Sequence, residues 1–242
     1  RGYGASSDIN VQQVRADSDP YIVGDEPVLI ARRTGMPVAV SHNKYEAARQ
    51  LIENADCDIL ICDDGLQHYS LGRDLEIVMI DGDREFGNKW MLPAGPLREP
   101  AKSLSSVDML VSINRPLKNM YLMEYKYSDL ISLFDEARTK SIYSLNGRQV
   151  HVVTAIANPD RLYNYLKGKG VSVISHKFPD HYSYTPQDLN FKDNHPIVMT
   201  EKDAVKCMNF ANEQMWYLPI QAVFDDAFYQ RINTLIRENI DG

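Results

Sequence analysis

Short apolar runs alternate with helix-like segments along most of the chain, and this alternation limits the possible folds more than any other feature. Strand-like runs are predicted over residues 59–62, 76–80, 109–113, 150–155, 171–174 and 197–199. Helix-like segments are predicted over residues 44–53, 160–166, 202–210 and 225–237. Strands joined by helical crossovers form mostly parallel sheets. The pattern therefore predicts an α/β fold rather than a β-sandwich or a helical bundle.

The alternation weakens between Asn114 and Gln149, where the chain becomes polar and rich in Tyr and Lys. That stretch ends in Asn146-Gly147, and Asn-Gly between extended segments is a strong turn signal. We therefore predict a domain boundary at this turn. It separates a larger core domain over residues 1–146 from a smaller C-terminal α/β domain over residues 147–242.

Composition excludes some classes of function. The net charge of −7 argues against bulk, non-specific nucleic-acid binding, so we expect no nucleic-acid partner. No apolar run approaches the roughly 20 residues that span a bilayer, and we expect no signal peptide. Cys57 and Cys62 lie in one apolar run and Cys207 lies far from them, so we expect reduced core thiols of a cytosolic protein. The sequence does not indicate an oligomeric state.

The stretch CDILICDDGLQHY, residues 57–69, places Asp63 and Asp64 directly after a predicted buried strand. Open α/β sheets bind their ligands at the carboxyl ends of strands. Two adjacent carboxylates repel each other, so burying both requires a cation or strong hydrogen-bond donors. A plain Asp-Gly turn is the alternative interpretation.

Two more loops carry residues of catalytic type. Gly24-Asp25-Glu26-Pro27 has the form of a helix start with acids in its first turn. The run Leu92–Pro100, rich in Pro and Gly, predicts a rigid loop that presents Arg98 and Glu99. The planar fork of an arginine suits a phosphate, although a surface Arg98–Glu99 pair would have little consequence.

Two further segments follow predicted strands near the C-terminal half. In Phe178-Pro179-Asp180-His181-Tyr182, a histidine beside an aspartate suits a general base or a group that orients one. Isolated histidines are, however, usually structural. In the segment Met199–Val205, Thr200 with Asp203 predicts a helix N-cap rather than a catalytic pair.

Taken together and in this order, the strings GDEP, DDGLQHY, FGN, LPAGPLREP, FPDH and MTEKDAVKC resemble the tetraacyldisaccharide 4′-kinase family of lipid A biosynthesis. The resemblance covers most of the chain and weakens over residues 115–148 and at the C-terminal end. It implies a P-loop NTPase-like α/β sandwich core with a mostly parallel sheet and a second, smaller α/β domain. It also implies ATP- and Mg²⁺-dependent phosphorylation of a lipid disaccharide, tetraacyldisaccharide 1-phosphate, at its 4′-hydroxyl to give lipid IVA. The implied location is peripheral, at the cytoplasmic face of the bacterial inner membrane.

The resemblance also assigns roles to individual residues. Asp63 and Asp64 match the Walker B carboxylates beside the Mg²⁺ of the nucleotide, and Glu26 is a third candidate for the metal site. Asp25 matches the catalytic base, and His181 matches the histidine that assists it from the second domain. The positions near the acceptor and its phosphate are matched by Gln67, His68, Asn88, Arg98 and Glu99.

The chain departs from the family pattern in several places. No Gly-x-x-x-x-Gly-Lys-[Ser/Thr] phosphate loop, or Walker A motif, occurs in the sequence, and the chain opens on Arg1-Gly2-Tyr3-Gly4, which follows that loop in the family. The apolar N-terminal helix that seats the family on the membrane is not found either. Lys89 stands where a glycine often follows Phe-Gly-Asn, and residues 154–159 lack two glycines of the usual pattern. We therefore expect the chain as written to be inactive without an N-terminal phosphate loop.

Two other functions stay open. Asp81-Gly82-Asp83 follows a predicted strand and imitates the Asp-x-Asp motif that holds the metal of a nucleotide sugar, which is typical of a metal-dependent glycosyltransferase. A chain without a phosphate loop could also be a non-catalytic, lipid-binding fragment.

Overall fold

A computed structural model describes residues 11–240, so the Arg-Gly-Tyr-Gly segment lies outside the described residues. The helices, in chain order, are α1 Pro20–Val23, α2 Asp25–Thr34, α3 Lys44–Asn54, α4 Asp160–Gly168, α5 Glu201–Ala204 and α6 Asp226–Ile240. The strands are β1 Gln12–Val14, β2 Val38–Val40, β3 Ile77–Asp81, β4 Met109–Ile113, β5 Tyr121–Tyr127, β6 Leu130–Ser132, β7 Thr139–Lys140, β8 Gln149–Thr154, β9 Ser172–Lys177, β10 Ile197–Thr200, β11 Met215–Leu218 and β12 Ile220–Phe224. The predicted α/β class is confirmed.

Contacts group the described chain into two compact units. The first unit holds the described residues up to Asp63 together with Ser128–Pro219, and the second holds Asp64–Tyr127 together with the residues from Ile220 onwards. Each unit is thus built from two separate stretches of chain. The predicted division after residue 146 follows a different line and stays a prediction.

The first unit is built around a six-stranded sheet in the order β7-β6-β11-β10-β8-β9. Strands β11, β10, β8 and β9 run parallel to one another. At one edge, β6 pairs antiparallel with β11, and β7 pairs antiparallel with β6. The central strands β8 and β10 are mostly apolar and almost entirely buried, because both faces of the sheet are covered. Val152, Val153 and Val198 are fully buried there. The polar residues that directly follow these strands therefore lie at the edge of a rigid core.

Helix α2 lies in the first unit and begins as the sequence predicts, with Asp25 and Glu26 in its first turn. Gly24 precedes the helix at φ +97, a backbone conformation that side chains disfavour. Val28 and Ala31 pack in a small apolar cluster with Val14 and Val205. This packing sets Asp25, at the start of the helix, close to the segment that follows β10.

The second unit contains a four-stranded sheet in the order β12-β5-β4-β3. Strands β3, β4 and β5 are parallel, and β12 pairs antiparallel with β5. Helix α6 covers the sheet through Phe228 and Leu235, which pack with Met109, Val111 and Met123. A buried apolar face of this kind is the main stabilising contribution to a small α/β layer.

The prediction of a buried strand at residues 59–62 is wrong. This segment is irregular, and Ile61 is 95% exposed. A buried parallel strand requires a ladder partner on each side, and no strand among residues 11–240 pairs with this segment. Cys62 is therefore exposed and Cys57 half-buried, whereas Cys207 is the core thiol that the composition predicted.

The remaining predicted elements differ from the structure mainly at their ends. The segment predicted as one helix over residues 202–210 consists of the short α5 and a separate 3₁₀ turn, Met208–Phe210. Strands β5, β6 and β7 lie in the stretch where the sequence pattern weakens, so they were missed. The turn at Asn146-Gly147 is confirmed, with Gly147 at φ +74. No helix in the described part of the chain is long and apolar enough to cross a membrane.

Candidate functional site

Asp25 and His181 form a direct contact in the first unit. Asp25 is only 4% exposed, and its Oδ2 lies 3.2 Å from His181 Nδ1. Its Oδ1 accepts a hydrogen bond of 2.9 Å from the backbone N–H of Glu26. The N-terminus of a helix favours a carboxylate at this place because its peptide N–H groups carry partial positive charge. Helix α2 therefore orients the carboxylate that meets the imidazole.

The backbone of His181 adopts a conformation that few side chains tolerate. Its φ is +58, and its N–H donates to Asp180 Oδ1 at 3.1 Å. Left-handed backbone is uncommon at residues other than glycine, although Asn, Asp and His adopt it more often than other side chains, and such conformations often occur at functional sites. The His181 side chain remains 41% exposed. The imidazole thus connects the buried Asp25 to the surface.

The pair does not follow the predicted division into domains. The resemblance assigns Asp25 to the larger predicted domain and His181 to the smaller one, but the contacts place both residues in the first unit. The Asp25–His181 contact is consequently internal to one compact body.

Two lysines surround the Asp25 carboxylate. Lys206 Nζ lies 3.7 Å from Asp25 Oδ2, and Lys202 Nζ lies 4.0 Å from Asp25 Oδ1. Lys202 Nζ also lies 3.2 Å from Glu26 Oε1 and 3.7 Å from Asp180 Oδ1. Opposite charges this close offset the cost of burying a carboxylate. Neither lysine was predicted as a site residue.

Asp203 anchors this charged cluster to the sheet. It is fully buried, and its carboxylate accepts hydrogen bonds from Ala155 N at 3.2 Å, Tyr184 Oη at 3.1 Å and Thr200 Oγ1 at 2.6 Å. The predicted N-cap is confirmed, since Asp203 N donates to Thr200 Oγ1 at 3.1 Å. Burial and the neighbouring Asp203 raise the pKa of Tyr184, so its hydroxyl stays a donor.

A charged run directly after an apolar strand is the signal that could have identified these residues. Residues 201–206, Glu-Lys-Asp-Ala-Val-Lys, follow the fully buried strand β10. The spacing of three between Asp203 and Lys206 places them on one face of a helical turn. Charged side chains directly after a buried strand are rarely buried unless an opposite charge pairs with them, so this run predicts a buried ion pair.

A second polar group lies in the second unit and joins residues of DDGLQHY to the Pro- and Gly-rich loop. Arg98 Nη1 donates at 3.3 Å to Asp64 Oδ1 and to Gln67 Oε1, and Gln67 Nε2 donates to Glu99 Oε1 at 2.9 Å. Arg98 and Glu99 therefore contact the DDGLQHY stretch rather than each other. The side chains of Arg98 and Asp64 are 60% and 59% exposed. This group can meet a ligand from solvent.

Glu99 also contacts a residue that the sequence did not single out. Tyr69 Oη donates to Glu99 Oε1 at 3.0 Å. Hydrogen bonds from Gln67 and Tyr69 lower the pKa of Glu99. The hydrogen bond between Tyr69 and Glu99 also raises the pKa of Tyr69. Glu99 is thus fixed as an ionised acceptor between two donors.

The loop before Arg98 is organised by Asn88. Its Nδ2 donates to Ala94 O at 2.8 Å, and its Oδ1 accepts from Trp90 N at 3.1 Å. A Cβ at Gly95 would overlap Asn88 Oδ1 and the backbone of Trp90, so only glycine fits there. Both ends of the Asn88 amide are used inside the loop, and its substrate-binding role stays a prediction.

The backbone at Lys89 explains why a glycine often stands at this position of the family pattern. Lys89 has φ +66, the left-handed conformation in which glycine is favoured.

His68 is half-buried, and its backbone N–H donates to Gly65 O at 2.9 Å. Its predicted role near the acceptor stays a prediction.

The predicted metal ligands can be compared with what Mg²⁺ requires. Among residues 11–240, no three His, Cys, Asp or Glu side chains form a group that could hold a metal ion. Glu26 is paired with Lys202, whereas Asp63 and Asp64 are exposed. Magnesium usually takes one or two carboxylates and completes its shell with water and phosphate oxygens. Two adjacent exposed aspartates fit that donor set.

The Asp-x-Asp segment has a structural role. Asp81 Oδ1 accepts hydrogen bonds from Asp83 N at 3.0 Å and from Arg84 N at 3.1 Å. A Cβ at Gly82 would lie 2.7 Å from Arg115 O. The segment is therefore a tight turn at the end of β3, in which the Asp81 carboxylate accepts hydrogen bonds from backbone N–H groups.

Comparisons with known proteins agree on one family. The family model described as LpxK, tetraacyldisaccharide-1-P 4′-kinase, matches residues 1–237. The tetraacyldisaccharide 4′-kinase of Nitrosococcus oceani is 42% identical over 238 residues, which cover 98% of this chain and 70% of that protein. The protein of the same name from Methylobacillus flagellatus is 46% identical over 234 residues, covering 96% and 70%.

One solved structure is similar in fold. It is a crystal structure of the "apo" form of LpxK from Aquifex aeolicus in complex with ATP. It aligns with a TM-score of 0.78 and 24% identity, covering 98% of this chain and 76% of that one. The two chains therefore share a fold.

Proposed function

Because the chain belongs to the tetraacyldisaccharide-1-P 4′-kinase family, we propose that it transfers the γ-phosphoryl group of ATP to the 4′-hydroxyl of tetraacyldisaccharide 1-phosphate, giving lipid IVA. The chain is a kinase, as the sequence strings predicted. The ATP bound to the Aquifex aeolicus relative supports ATP as the donor. The observation that carries the proposal is the Asp25–His181 contact.

Phosphoryl transfer to an alcohol requires an acceptor for the hydroxyl proton, while positioned charges stabilise the transferring group. Asp25 and His181 are 3.2 Å apart, and His181 is the member open to solvent. In the proposed mechanism the pair takes up the proton of the 4′-hydroxyl as a unit. Asp25 is the base of the pair, and His181 links it to the acceptor.

The group around Arg98 is proposed to bind the anionic part of a substrate. Its guanidinium is exposed, and its hydrogen bonds, to Asp64 and Gln67, are made through Nη1. The remaining donors of the fork suit two oxygens of one phosphate. Gln67, His68 and Glu99 would then contact the acceptor sugar next to that phosphate.

Asp63 and Asp64 are proposed to hold Mg²⁺ together with phosphate oxygens of the nucleotide. When bound, the ion offsets the negative charge of the phosphates during transfer. Glu26 is the weaker candidate, since Lys202 already lies 3.2 Å from its carboxylate. Because the acceptor is a lipid, we further propose that the protein acts as a peripheral enzyme at the cytoplasmic face of the bacterial inner membrane.

The direct test follows radiolabel from γ-labelled ATP to tetraacyldisaccharide 1-phosphate, using the protein as the source gene encodes it. We expect transfer that depends on ATP and Mg²⁺, with the label at the 4′ position, and no transfer to an acceptor already phosphorylated there. The 242-residue chain alone is expected to transfer nothing, because its sequence contains no Walker A motif.

Two results would contradict the proposal. Consumption of a nucleotide sugar with Mn²⁺, without any kinase activity, would favour the glycosyltransferase. Lipid binding by the gene-encoded protein without transfer would favour a non-catalytic role. Full turnover by the 242-residue chain would remove only the expectation that it is inactive alone.

A further inference from the structure

We propose that Lys206 is a positioning residue for the reaction, whose buried ammonium group holds the Asp25 carboxylate in place against His181. The proposal rests on the proposed function of the Asp25–His181 pair. It assigns to Lys206 a task that acts through Asp25 and not through contact with a substrate.

The first argument is the place of the ammonium group. The Lys206 side chain is 2% exposed, and its Nζ lies 3.7 Å from Asp25 Oδ2, the same oxygen that contacts His181 Nδ1. Lysines are almost never fully buried unless an opposite charge pairs with them. The cost of burying this cation is therefore compensated by Asp25 and by Asp203, whose Oδ1 lies 3.0 Å away.

The second argument is that charge, not a directed hydrogen bond, holds this group. Within residues 11–240, no acceptor meets Lys206 Nζ with hydrogen-bond geometry. The ring of Tyr184 faces it, with its centroid 5.0 Å from Nζ. A cation held between two carboxylates and an aromatic ring acts on both carboxylates, and moving either one leaves it less well compensated.

The third argument is that Lys206 connects a helix end to a rigid sheet. Asp203 is fixed by Ala155 N at the end of β8 and by Thr200 at the end of β10. Asp25 begins α2, which meets the segment after β10 through apolar packing and through more exposed ion pairs, Lys202 with Glu26 and Arg33 with Glu201. The Lys206 ammonium group is the buried ionic link, and it connects Asp25 to Asp203, the carboxylate that is fixed to the sheet. Misplacing a catalytic group by 1 Å can reduce the rate by about 10²-fold.

Lys202 is less suited to this task. Its side chain is 18% exposed, its Nζ is 4.0 Å from Asp25 Oδ1, and it is shared with Glu26 and Asp180. Water and two other carboxylates can compensate this cation, so its loss should disturb Asp25 less.

The test is a double-mutant cycle on kcat in the protein as the source gene encodes it. We expect Lys206→Met to lower kcat by about 10- to 100-fold while KM for ATP and for the disaccharide changes by less than about threefold. Lys206→Arg, which keeps the charge, should restore part of the rate. In an Asp25→Asn background, Lys206→Met should cost less than about threefold, since the group it positions is already disabled.

A matched control is Lys140→Met in the same unit. Lys140 is half-buried on β7, with its Nζ 4.1 Å from the ring of Trp216, and burial lowers its pKa. This variant should leave kcat unchanged. If Lys206→Met fails to fold, Lys206→Met combined with Asp203→Asn removes both charges of the buried pair and gives the same comparison.

The outcomes are distinguishable. An unchanged kcat in Lys206→Met, or the same fold loss in the wild-type and Asp25→Asn backgrounds, would overturn the positioning role and leave the proposed function intact. A wild-type kcat in Asp25→Asn alone would overturn the role of the pair and this inference with it. A loss in Lys206→Met that disappears in the Asp25→Asn background supports the positioning role.

Discussion

Replacing Asp203 with alanine should be one of the most destabilising single changes in the first unit. The carboxylate is fully buried, accepts from Ala155 N and Tyr184 Oη, and lies 3.0 Å from Lys206 Nζ. Removing one partner of a buried ion pair leaves an uncompensated charge and costs about 3–5 kcal/mol. The donors left unpaired add to this cost. At about 2–4 °C per kcal/mol for a chain of this size, Tm should fall by about 6–20 °C.

The assay is urea unfolding followed by tryptophan fluorescence. The chain has two tryptophans, and a Trp90→Phe background leaves the buried Trp216, in the same unit as Asp203, as the reporter. Asp188→Ala is the matched control, because this half-buried aspartate closes a capping box with Thr185 and its loss should cost about 1 kcal/mol. A loss in Asp203→Ala no larger than in the control would refute the description of Asp203 as the anchor of the cluster.

Three smaller predictions follow from particular residues. Hydrogen bonds from Gln67 and Tyr69 lower the pKa of Glu99, so the stability that they contribute is present above the ordinary carboxyl pKa and is lost as the pH falls through the lowered value. In an NMR titration, Gln67→Ala should raise the pKa of Glu99, and an unchanged pKa would contradict the hydrogen bond between Gln67 and Glu99. Exposed Cys62 should react with a thiol reagent in the folded protein, whereas Cys207, whose pKa burial raises to about 12, should react only after unfolding; equal rates would be inconsistent with the structure. Lys89→Gly should raise the free energy of unfolding by about 0.5–1 kcal/mol, because the backbone there is left-handed, and a measured decrease in urea unfolding would argue against that conformation.

Strands β3, β4, β8, β9 and β10 could be predicted because they are mostly apolar or are followed by clear punctuation, and β4 was predicted residue for residue. Residues 59–62 show the limit of the same rule. An apolar run indicates a strand only where other strands can pair with it, and pairing is a property of the whole fold that a local window does not contain.

Strand β5 was missed for the opposite reason. It pairs with β4 on one side and with β12 on the other, yet its sequence Tyr-Leu-Met-Glu-Tyr-Lys-Tyr carries charged residues on an exposed face. Its partner β12 lies about a hundred positions later in the chain. No short window of sequence reports a pairing over that distance.

The candidate site divides in the same way. Asp25 and His181 were identified from the resemblance, and the structure brings them together although the prediction placed them in different domains. Lys202 and Lys206 were not identified, because their role depends on how α2 packs against the segment after β10. The sequence therefore predicted the proposed proton-accepting pair better than the residues that surround it.

The most direct test of the proposed mechanism is a double-mutant cycle of Asp25→Asn and His181→Ala on kcat, with ATP affinity measured separately. Each single change should lower kcat by about 10²- to 10⁴-fold, the range typical of a general base. If the two residues accept the proton as a unit, the double variant should be little slower than the slower single variant, and ATP affinity should be unchanged. Fully multiplicative losses, or a loss of ATP affinity that accounts for the slower rate, would contradict the assignment of Asp25 and His181 as one proton-accepting pair.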